Sequence, residues 1–432
     1  MQTSFTLAQL ADPQIEEADR ILRKCVHCGF CTATCPTYVL LGDELDGPRG
    51  RIMLIKAMLE TTRPPTAKVV THIDRCLSCL SCMTTCPSGV DYRRLVDRAR
   101  AHIDDKFHRP WAETMLRGLL AMVLPRPPLF RAALLASRLL PDAVARLLPG
   151  RLAGLAAMAP ARVPGPSTVG QPQTHSAQEP RRLRVALMPG CAQQVLAPAI
   201  NDATVRVLTR HGCEVVVARG GGCCGALVHH LGQEDAARDA ARRNVAAWSA
   251  EVDNGGLDAI VINASGCGTT IKDYGHLLKG DPRWAAAAAR VAGLARDVSE
   301  ILADLDIEPD GTVGGLSVAY HSACSLQHGQ NVHEEPRRVL AAAGFTVREI
   351  AEGHLCCGSA GTYNLLQPDI SERLLARKLA NVERCEADVV ATGNIGCMVQ
   401  LARATDTPVV HTVELVDWAT GGPRPEALGD IG

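Results

Sequence analysis

Eight cysteines near the N-terminus carry the clearest chemistry in this 432-residue sequence. They form two copies of the spacing Cys-x-x-Cys-x-x-Cys-x-x-x-Cys-Pro. The copies are Cys25, Cys28, Cys31 and Cys35, and Cys76, Cys79, Cys82 and Cys86. Thiolates are the soft, strongly donating ligands that iron needs at each corner of a [4Fe–4S] cluster. The repeated spacing therefore predicts two [4Fe–4S] clusters.

The cysteine before each proline decides the predicted assignment of ligands. In two-cluster ferredoxins this fourth cysteine ligates the cluster of the other run. We therefore expect one cluster on Cys25, Cys28, Cys31 and Cys86, and the other on Cys76, Cys79, Cys82 and Cys35. Zinc sites usually show two separated pairs of ligands, and disulfides are typical of small secreted chains. Neither alternative explains the spacing as well.

Eight further cysteines in the second half form two sets, in each of which a single cysteine precedes an adjacent pair at the same interval. The sets are Cys191, Cys223, Cys224 and Cys267, and Cys324, Cys356, Cys357 and Cys397. Each adjacent pair is followed by a glycine, Gly225 or Gly358, so the pattern indicates a duplication. A metal or iron–sulfur site, a redox dithiol and small core residues all remain open for these sets. Cys213 and Cys385 fall outside the pattern, and we expect ordinary structural roles for them.

Helices must position the first eight cysteines. Helical spacing of apolar residues occurs at 12–24, 49–59 and 91–106. A helical insert between the two cysteine runs favours an α-helical ferredoxin over the compact βαβ kind. We expect this domain to occupy residues 1–106.

Strands alternating with helices must position the other eight. Strand patterns occur at 183–188, 213–218, 257–262, 316–320, 345–350 and 387–391. Each is followed by repeat cysteines and then by a helix, which predicts right-handed βαβ units and parallel sheets. Ligands bind at the carboxyl edge of such sheets, and helix N-termini there stabilise thiolates. Each set should therefore converge on one site, and the two sites should face each other.

The predicted fold class is thus α+β multidomain, an α-helical two-cluster ferredoxin domain followed by a duplicated α/β domain with repeats at 184–312 and 313–432. Residues 107–183 form a connector that prolines cut into short helical pieces. Arg131 and Arg138 share a helix face opposite Leu134, Leu135 and Leu139. The connector is either a solvated arm on its own protein or a docking surface for a partner subunit or an anionic membrane. Residues 163–179 are typical of a flexible linker.

The composition of the chain and the motifs that it lacks exclude several classes of function. A formal net charge of −1 gives no whole-chain electrostatic reason to bind nucleic acid. The sequence lacks an apolar run long enough to span a membrane, and its first 20 residues do not resemble a secretory signal. We therefore expect a cytoplasmic protein. No Gly-x-Gly-x-x-Gly follows a strand pattern, so we expect flavin and substrate chemistry on another chain.

Two histidines lie close to repeat cysteines. His321 and His354 have no counterpart in the first repeat, where Met188 and Gly221 occupy the equivalent positions. We expect structural roles for both rather than metal ligation.

Several stretches resemble the family of glycolate oxidase (glycolate dehydrogenase) iron–sulfur subunits. They are residues 24–31, 46–52, 320–321, 326–330, 354–363 and 394–397. The resemblance implies a subunit that carries electrons from FAD-binding partner subunits, which oxidise glycolate to glyoxylate, towards a quinone-type acceptor. The membrane-docking alternative for the connector adds the expectation of peripheral association with the cytoplasmic face of the inner membrane.

Other subunits share this layout. They belong to lactate-utilisation proteins, anaerobic glycerol-3-phosphate dehydrogenase and heterodisulfide reductase. In heterodisulfide reductase each repeat ends in Cys-x-x-Cys. In this sequence Cys267 is followed by Gly268 and Cys397 by Met398. The sequence therefore does not predict the five-cysteine non-cubane cluster of that family. Two other classes remain open, an independent disulfide reductase and an iron-sensing or scaffolding protein.

Overall fold

The computed structural model describes residues 1–61, 63–138 and 162–429. Leu139, which we predicted on the apolar face of the connector, lies outside the described residues.

The N-terminal region is helical. Asp12 caps the helix Pro13–Lys24, whose apolar face packs with that of Tyr92–Lys106 around Leu22, Leu95 and Ala99. Burying such side chains contributes about 1.5–3 kcal/mol each. The helices of this region are Leu7–Leu10, Pro13–Lys24, Phe30–Ala33, Pro36–Leu41, Pro48–Glu60, Ala67–Asp74, Ser81–Thr84 and Tyr92–Lys106, with a 3-10 turn at Glu44–Asp46.

Two helices, Trp111–Val123 and Pro127–Ser137, form the described part of the connector. Within the described ranges no single helix is long and apolar enough to cross a membrane, although this pair, bent by 119°, has the length and composition together. Arg117 is buried and forms ion pairs with Asp74 and Glu113, both at 3.0 Å, so it is not part of a solvated arm. Leu134 is buried but Leu135 is exposed.

The linker prediction for residues 163–179 needs correction. Strand β1, Gln173–His175, pairs antiparallel with β3, Cys213–Val217, with Gln173 opposite Val217. Polar residues have little strand propensity of their own, but an open sheet edge offers unpaired backbone groups to any segment passing beside it. The edge of the first sheet therefore orders this segment.

Two sheets of equivalent topology follow. The first has the order β1-β3-β2-β4-β5 and is parallel apart from β1, with β2 at Leu183–Met188, β4 at Ala259–Ile262 and β5 at Ala295–Asp297. The second has the order β7-β6-β8-β9 and is entirely parallel, with β6 at Ser317–Tyr320, β7 at Thr346–Glu349, β8 at Val389–Thr392 and β9 at Val409–His411. The predicted fold class, with its duplicated parallel sheets, is confirmed.

Helices cover these sheets and join the repeats. In the first repeat they are Gln193–Leu196, Ala199–Arg210, Ala226–His230, Glu234–Gly255, Ser265–Ile271, Tyr274–Leu277, Ala285–Leu294 and Val298–Ala303. In the second they are Cys324–Gln327, Glu335–Ala342, Tyr363–Leu366, Pro368–Glu383, Ile395–Ala402 and Thr412–Ala419, with a 3-10 turn at Glu426–Leu428. One apolar core containing Val185, Val261, Val318 and Val389 runs through both sheets, so the repeats pack as one body.

Candidate metal centres

Both ferredoxin runs wind through the same unusual backbone conformations. His27 and Gly29 have φ of 57° and 87°, and the equivalent Ser78 and Leu80 have φ of 51° and 62°. This region disfavours non-glycine residues, so surrounding structure must hold three of the four in place. The tight winding lets closely spaced cysteines face one cavity.

Two adjacent cavities bring the eight cysteines together in crossed sets. One is lined by Cys25, Cys28, Cys31 and Cys86, together with Cys82. The other is lined by Cys35, Cys76, Cys79 and Cys82. The cysteine before each proline therefore lies with the first three cysteines of the other run. We call these groups the Cys25 set (Cys25, Cys28, Cys31, Cys86) and the Cys35 set (Cys35, Cys76, Cys79, Cys82).

Buried cations surround the Cys35 set. The guanidinium of Arg51 lies 3.8 Å from Cys35 Sγ, and Arg100 donates to the Cys76 carbonyl at 2.6 Å. Burial opposes ionisation of Cys76, but Arg51, Arg100 and the hydroxyl of Tyr92, 3.7 Å from its Sγ, bring its pKa below the usual value. These groups would stabilise negative charge on bound thiolates.

Arg51 belongs to a network that the sequence did not reveal. Its Nε donates to the His72 carbonyl at 2.7 Å, and its NH2 group donates to the Thr37 hydroxyl at 3.0 Å. It also pairs with fully buried Asp46, which holds His72 Nδ1 at 2.9 Å and Arg75 at 2.8 Å. The sequence carried one unused signal, because Arg51 shares the helix face of Ile55 and Met58, four and seven residues later, which are buried apolar positions.

The donor chemistry of both sets fits iron–sulfur clusters. Burial, with a contribution from neighbouring thiols, raises the pKa of Cys31 to about 11 and that of Cys79 and Cys82 well above the usual range. Crowded buried thiols favour their protonated form unless a metal compensates the negative charge. Four such thiols around one cavity are the ligands that a [4Fe–4S] cluster requires.

The first repeat joins its four cysteines in a row. Cys191 contacts Cys223, Cys223 contacts Cys224, and Cys224 contacts Cys267. Thiol contacts from Cys191 and Cys224 lower the pKa of Cys223 to about 3, while the pKa values of those two neighbours rise well above the usual range. Tyr274 fixes the pair by donating to the Cys224 carbonyl at 2.8 Å.

The second repeat forms an equivalent row. Cys324 Sγ lies 3.8 Å from Cys356 Sγ, and Cys357 contacts both Cys356 and Cys397. Two groups at this set have no equivalent in the first repeat. The buried ring of His321 lies beside Cys357 and Cys397, and buried Lys378 is close enough to influence the same thiols electrostatically. The sequence had assigned His321 a structural role.

The glycine after each cysteine pair permits a close approach of two chain segments. Gly358 has φ of +91°, and a Cβ there would lie 2.7 Å from the Ser371 carbonyl oxygen. Gly225 has φ of +86°, and its Cβ would lie 3.1 Å from the Ala237 carbonyl oxygen. Only glycine suits both requirements, so these positions hold each pair against the following helix.

The cysteine-bearing edges of the repeats are adjacent to each other and to the ferredoxin domain. Ser265 donates its backbone N–H to the Gly393 carbonyl at 3.2 Å, which joins the turns before Cys267 and Cys397. Cys79 of the Cys35 set packs in one apolar cluster with Cys356, and Cys324 borders that cluster. The second repeat therefore lies directly beside the Cys35 set.

The remaining predicted residues lie elsewhere. Cys213 begins β3 and is buried, whereas Cys385 follows the helix Pro368–Glu383 rather than lying within it. Cys267 and Cys397 lie in the first turns of helices, not before them as predicted, because those helices begin directly after the strands. His354 is partly exposed.

Comparison with known proteins agrees with this organisation. Residues 24–90 match the family described as "4Fe-4S dicluster domain", and residues 185–272 and 318–402 match "Cysteine-rich domain". The chain is 43% identical over 97% of its length to the "Glycolate oxidase iron-sulfur subunit" of Escherichia coli (strain K12), of which the match covers 99%. The chain belongs to the glycolate oxidase iron–sulfur subunit family. The resemblance predicted from the motifs is confirmed.

Two further relatives match different shares of the chain. The "Probable glycolate oxidase iron-sulfur subunit" of Bacillus subtilis (strain 168) is 32% identical, over 93% of each chain. "Lactate utilization protein A" of Bacillus velezensis is 29% identical and matches only 54% of this chain, although 99% of its own length is covered. The glycolate oxidase subunits thus match the ferredoxin region and both repeats together.

The fold also has a distant structural counterpart. A crystal structure of a hypothetical protein from Helicobacter pylori superimposes with a TM-score of 0.55 and 10% identity, covering 97% of this chain and 74% of that one. This likeness concerns the fold alone.

The two [4Fe–4S] clusters predicted from the cysteine spacing are confirmed by the dicluster domain.

Proposed function

We propose that this chain is the electron-transfer subunit of a glycolate oxidase complex. It would accept electrons from FAD-binding subunits that oxidise glycolate to glyoxylate and pass them towards a quinone-type acceptor. The observation that carries this proposal is the match, along nearly the whole chain, to glycolate oxidase iron–sulfur subunits. When bound, the two clusters supply one-electron carriers, which suits a partner of the two-electron flavin.

The ligands of the clusters are the Cys25 set and the Cys35 set. Their grouping around two cavities supports this assignment, including the exchange of Cys35 and Cys86 between runs. Replacing Cys35 by Ser should therefore alter the EPR signal of the cluster on Cys76, Cys79 and Cys82. A signal change confined to the other cluster, with Cys86→Ser giving the opposite pattern, would contradict the assignment.

Exposure and packing support a direction for electron flow. Cys28 is exposed and stands between two exposed apolar residues, Val26 and Phe30. This surface is suited to a flavoprotein partner. The Cys35 set is more deeply buried, and its Cys79 packs beside Cys356 of the second repeat. Electrons would therefore enter at the Cys25 set and leave near the second repeat.

Each Cys-Cys-Gly repeat is proposed to hold a metal or a further iron–sulfur centre. Convergence of four thiols in both repeats supports this reading over that of small core residues. A redox dithiol would need only two of them. The clustering of both sets at facing edges supports a shared exit for electrons.

We place the complex in the cytoplasm, peripheral on the inner face of the inner membrane. Cysteine thiols that serve as metal ligands must stay reduced, which suits a reducing compartment. The helix Trp111–Val123 carries an exposed apolar stripe of Trp111, Met115, Leu119 and Met122. Exposed Arg126, which donates to the Met122 carbonyl at 2.5 Å, would favour anionic lipid headgroups.

Co-purification with an untagged flavoprotein tests the proposed function. The complex should oxidise glycolate faster than lactate or glycerol 3-phosphate, while the isolated chain should be brown, reducible by dithionite and inactive on all three. Preference for lactate would instead support the function named for the half-length relatives. Glycolate turnover by this chain alone with an artificial acceptor would refute a purely electron-carrying role.

A further inference from the structure

The buried ring of His321 lacks the hydrogen-bond partners that a structural histidine normally has. Its side chain follows β6 and the residue is only 2% exposed. Neither Nδ1 nor Nε2 has a nitrogen or oxygen partner among the described residues, and the polar group that the ring contacts is the Cys357 thiol. A buried imidazole normally donates through one nitrogen and accepts through the other. Its backbone N–H donates to the Ala391 carbonyl at 2.8 Å, which holds the residue at the sheet edge.

The ring faces thiols at a distance suited to a shared ion. One ring nitrogen of His321 and the Sγ atoms of Cys357 and Cys397 all lie within 4.8 Å of one another. Two ligands of one tetrahedral ion, with bonds of about 2.0–2.3 Å, are separated by roughly 3.5–4 Å. The three atoms therefore need only a small contraction to bind one metal.

The first repeat offers no such nitrogen. Aligning the repeats on their cysteines pairs His321 with Met188. The matching close approaches of Gly225 to Ala237 and of Gly358 to Ser371 pair Lys378 with Asn244. Met188 is buried in the apolar cluster beneath the first set, and Asn244 donates to the Cys223 carbonyl at 3.1 Å. The second repeat thus replaces an apolar side chain with an imidazole and a neutral amide with a cation, both close to its thiols.

We propose that His321 is a metal ligand and that the second repeat forms a mixed nitrogen–sulfur site. Its core donors are His321, Cys357 and Cys397. Cys324 or Cys356 would complete the shell of a single tetrahedral ion, and both would be used by an iron–sulfur cluster. The first repeat offers a sulfur-only set. Iron and zinc both accept imidazole together with thiolates. For iron, a neutral imidazole and the nearby Lys378 would raise the reduction potential above that of an all-thiolate site. The proposal rests on the metal centre proposed above for the second repeat, but not on the substrate of the complex.

The test uses the full chain labelled with [15N]histidine. Metal analysis of the wild type and of Cys356→Ser first shows whether the second set holds iron or zinc. For iron, pulsed EPR of the reduced protein should reveal the strong 15N coupling of a directly bonded imidazole. For zinc, X-ray absorption should show nitrogen at about 2.0–2.1 Å beside sulfur at about 2.3 Å. Either signature should disappear in His321→Gln.

His328→Gln is the matched control. It is a buried histidine of the same repeat, but its Nδ1 pairs with the Thr84 hydroxyl at 2.9 Å and its Nε2 with the His354 carbonyl at 3.2 Å. This variant should keep the nitrogen signature. His321→Cys should keep the metal with sulfur-only coordination, which separates ligation from a folding defect.

Three results would overturn the proposal. They are sulfur-only coordination in the wild type, a nitrogen signature that survives in His321→Gln, and the absence of any metal beyond the two [4Fe–4S] clusters.

Discussion

Arg51 is the single charged residue whose loss should most disturb the ferredoxin domain. It is 1% exposed and links Asp46, Thr37 and the Cys35 thiol. Replacing it by Gln leaves Asp46 with Arg75 and His72 alone. We therefore expect a cost near the lower end of the about 3–5 kcal/mol that is typical of a broken buried pair. We expect a correspondingly lower urea midpoint for the loss of cluster absorbance.

Asp46→Asn is the control for this prediction. If the charge imbalance is the cause, the double variant Arg51→Gln/Asp46→Asn should lose at least about 1 kcal/mol less than the sum of the single variants. Strict additivity would show that Arg51 acts through its other contacts, with the His72 carbonyl, Thr37 and Cys35, and not by compensating Asp46.

At the residue scale, the sequence predicted the cysteines but not their surroundings. Ligand spacing is a local property, so sixteen cysteines could be chosen and grouped before the fold was known. Arg51, Asp46 and Lys378 lie outside the cysteine motifs, and only the fold brings them to the thiols. His321 is close to Cys324 in sequence, but its ring lies beside Cys357 and Cys397. A lone buried charge or imidazole resembles any polar residue until its neighbours are known.

At the scale of elements, long periodic segments were predicted well and short edge strands were not. The strand expected at 183–188 is present as Leu183–Met188, and the helix expected at 91–106 as Tyr92–Lys106. Strands β1, β5 and β9 have three residues each, too few to show a period. They are strands because a neighbouring sheet edge pairs with them. The domain limits stay predictions.

Gly358 carries an element-scale prediction. Alanine there would meet the Ser371 carbonyl oxygen at 2.7 Å and push Cys356 and Cys357 away from the helix Pro368–Glu383. Gly358→Ala should therefore lower the metal content of the second repeat and leave the EPR signals of the two [4Fe–4S] clusters intact.

Gly361→Ala separates close approach from backbone strain. Gly361 also has a positive φ, of 68°, but nothing lies within 4 Å of its added Cβ. Both variants carry the strain of roughly 1–3 kcal/mol expected for a non-glycine residue in this region. Equal metal loss in the two variants would rule out the steric explanation.

At the scale of the whole molecule, we expect two exposed apolar surfaces to bind different partners. Trp111 and Met115 are 75% and 65% exposed on the connector, and Val26 and Phe30 are 66% and 63% exposed beside Cys28. Met115→Glu with Leu119→Glu should abolish flotation of the complex with anionic phospholipid vesicles, because buried apolar area and charge attraction are both lost.

Val26→Glu with Phe30→Glu is the matched variant for this prediction. It should weaken flavoprotein binding and leave vesicle binding by the chain unchanged. If the connector variant instead loses flavoprotein binding and keeps vesicle binding, the connector surface binds the partner subunit and not a membrane.

Freeze-quench EPR of the complex tests the electron-carrying role most directly. Glycolate is mixed with the oxidised complex in the absence of acceptor, and the reduced [4Fe–4S] signals of this chain are followed in time. We expect them to appear after flavin reduction and at least as fast as steady-state turnover. Flavin reduction that supports full acceptor turnover, while the clusters of this chain stay oxidised, would contradict the account.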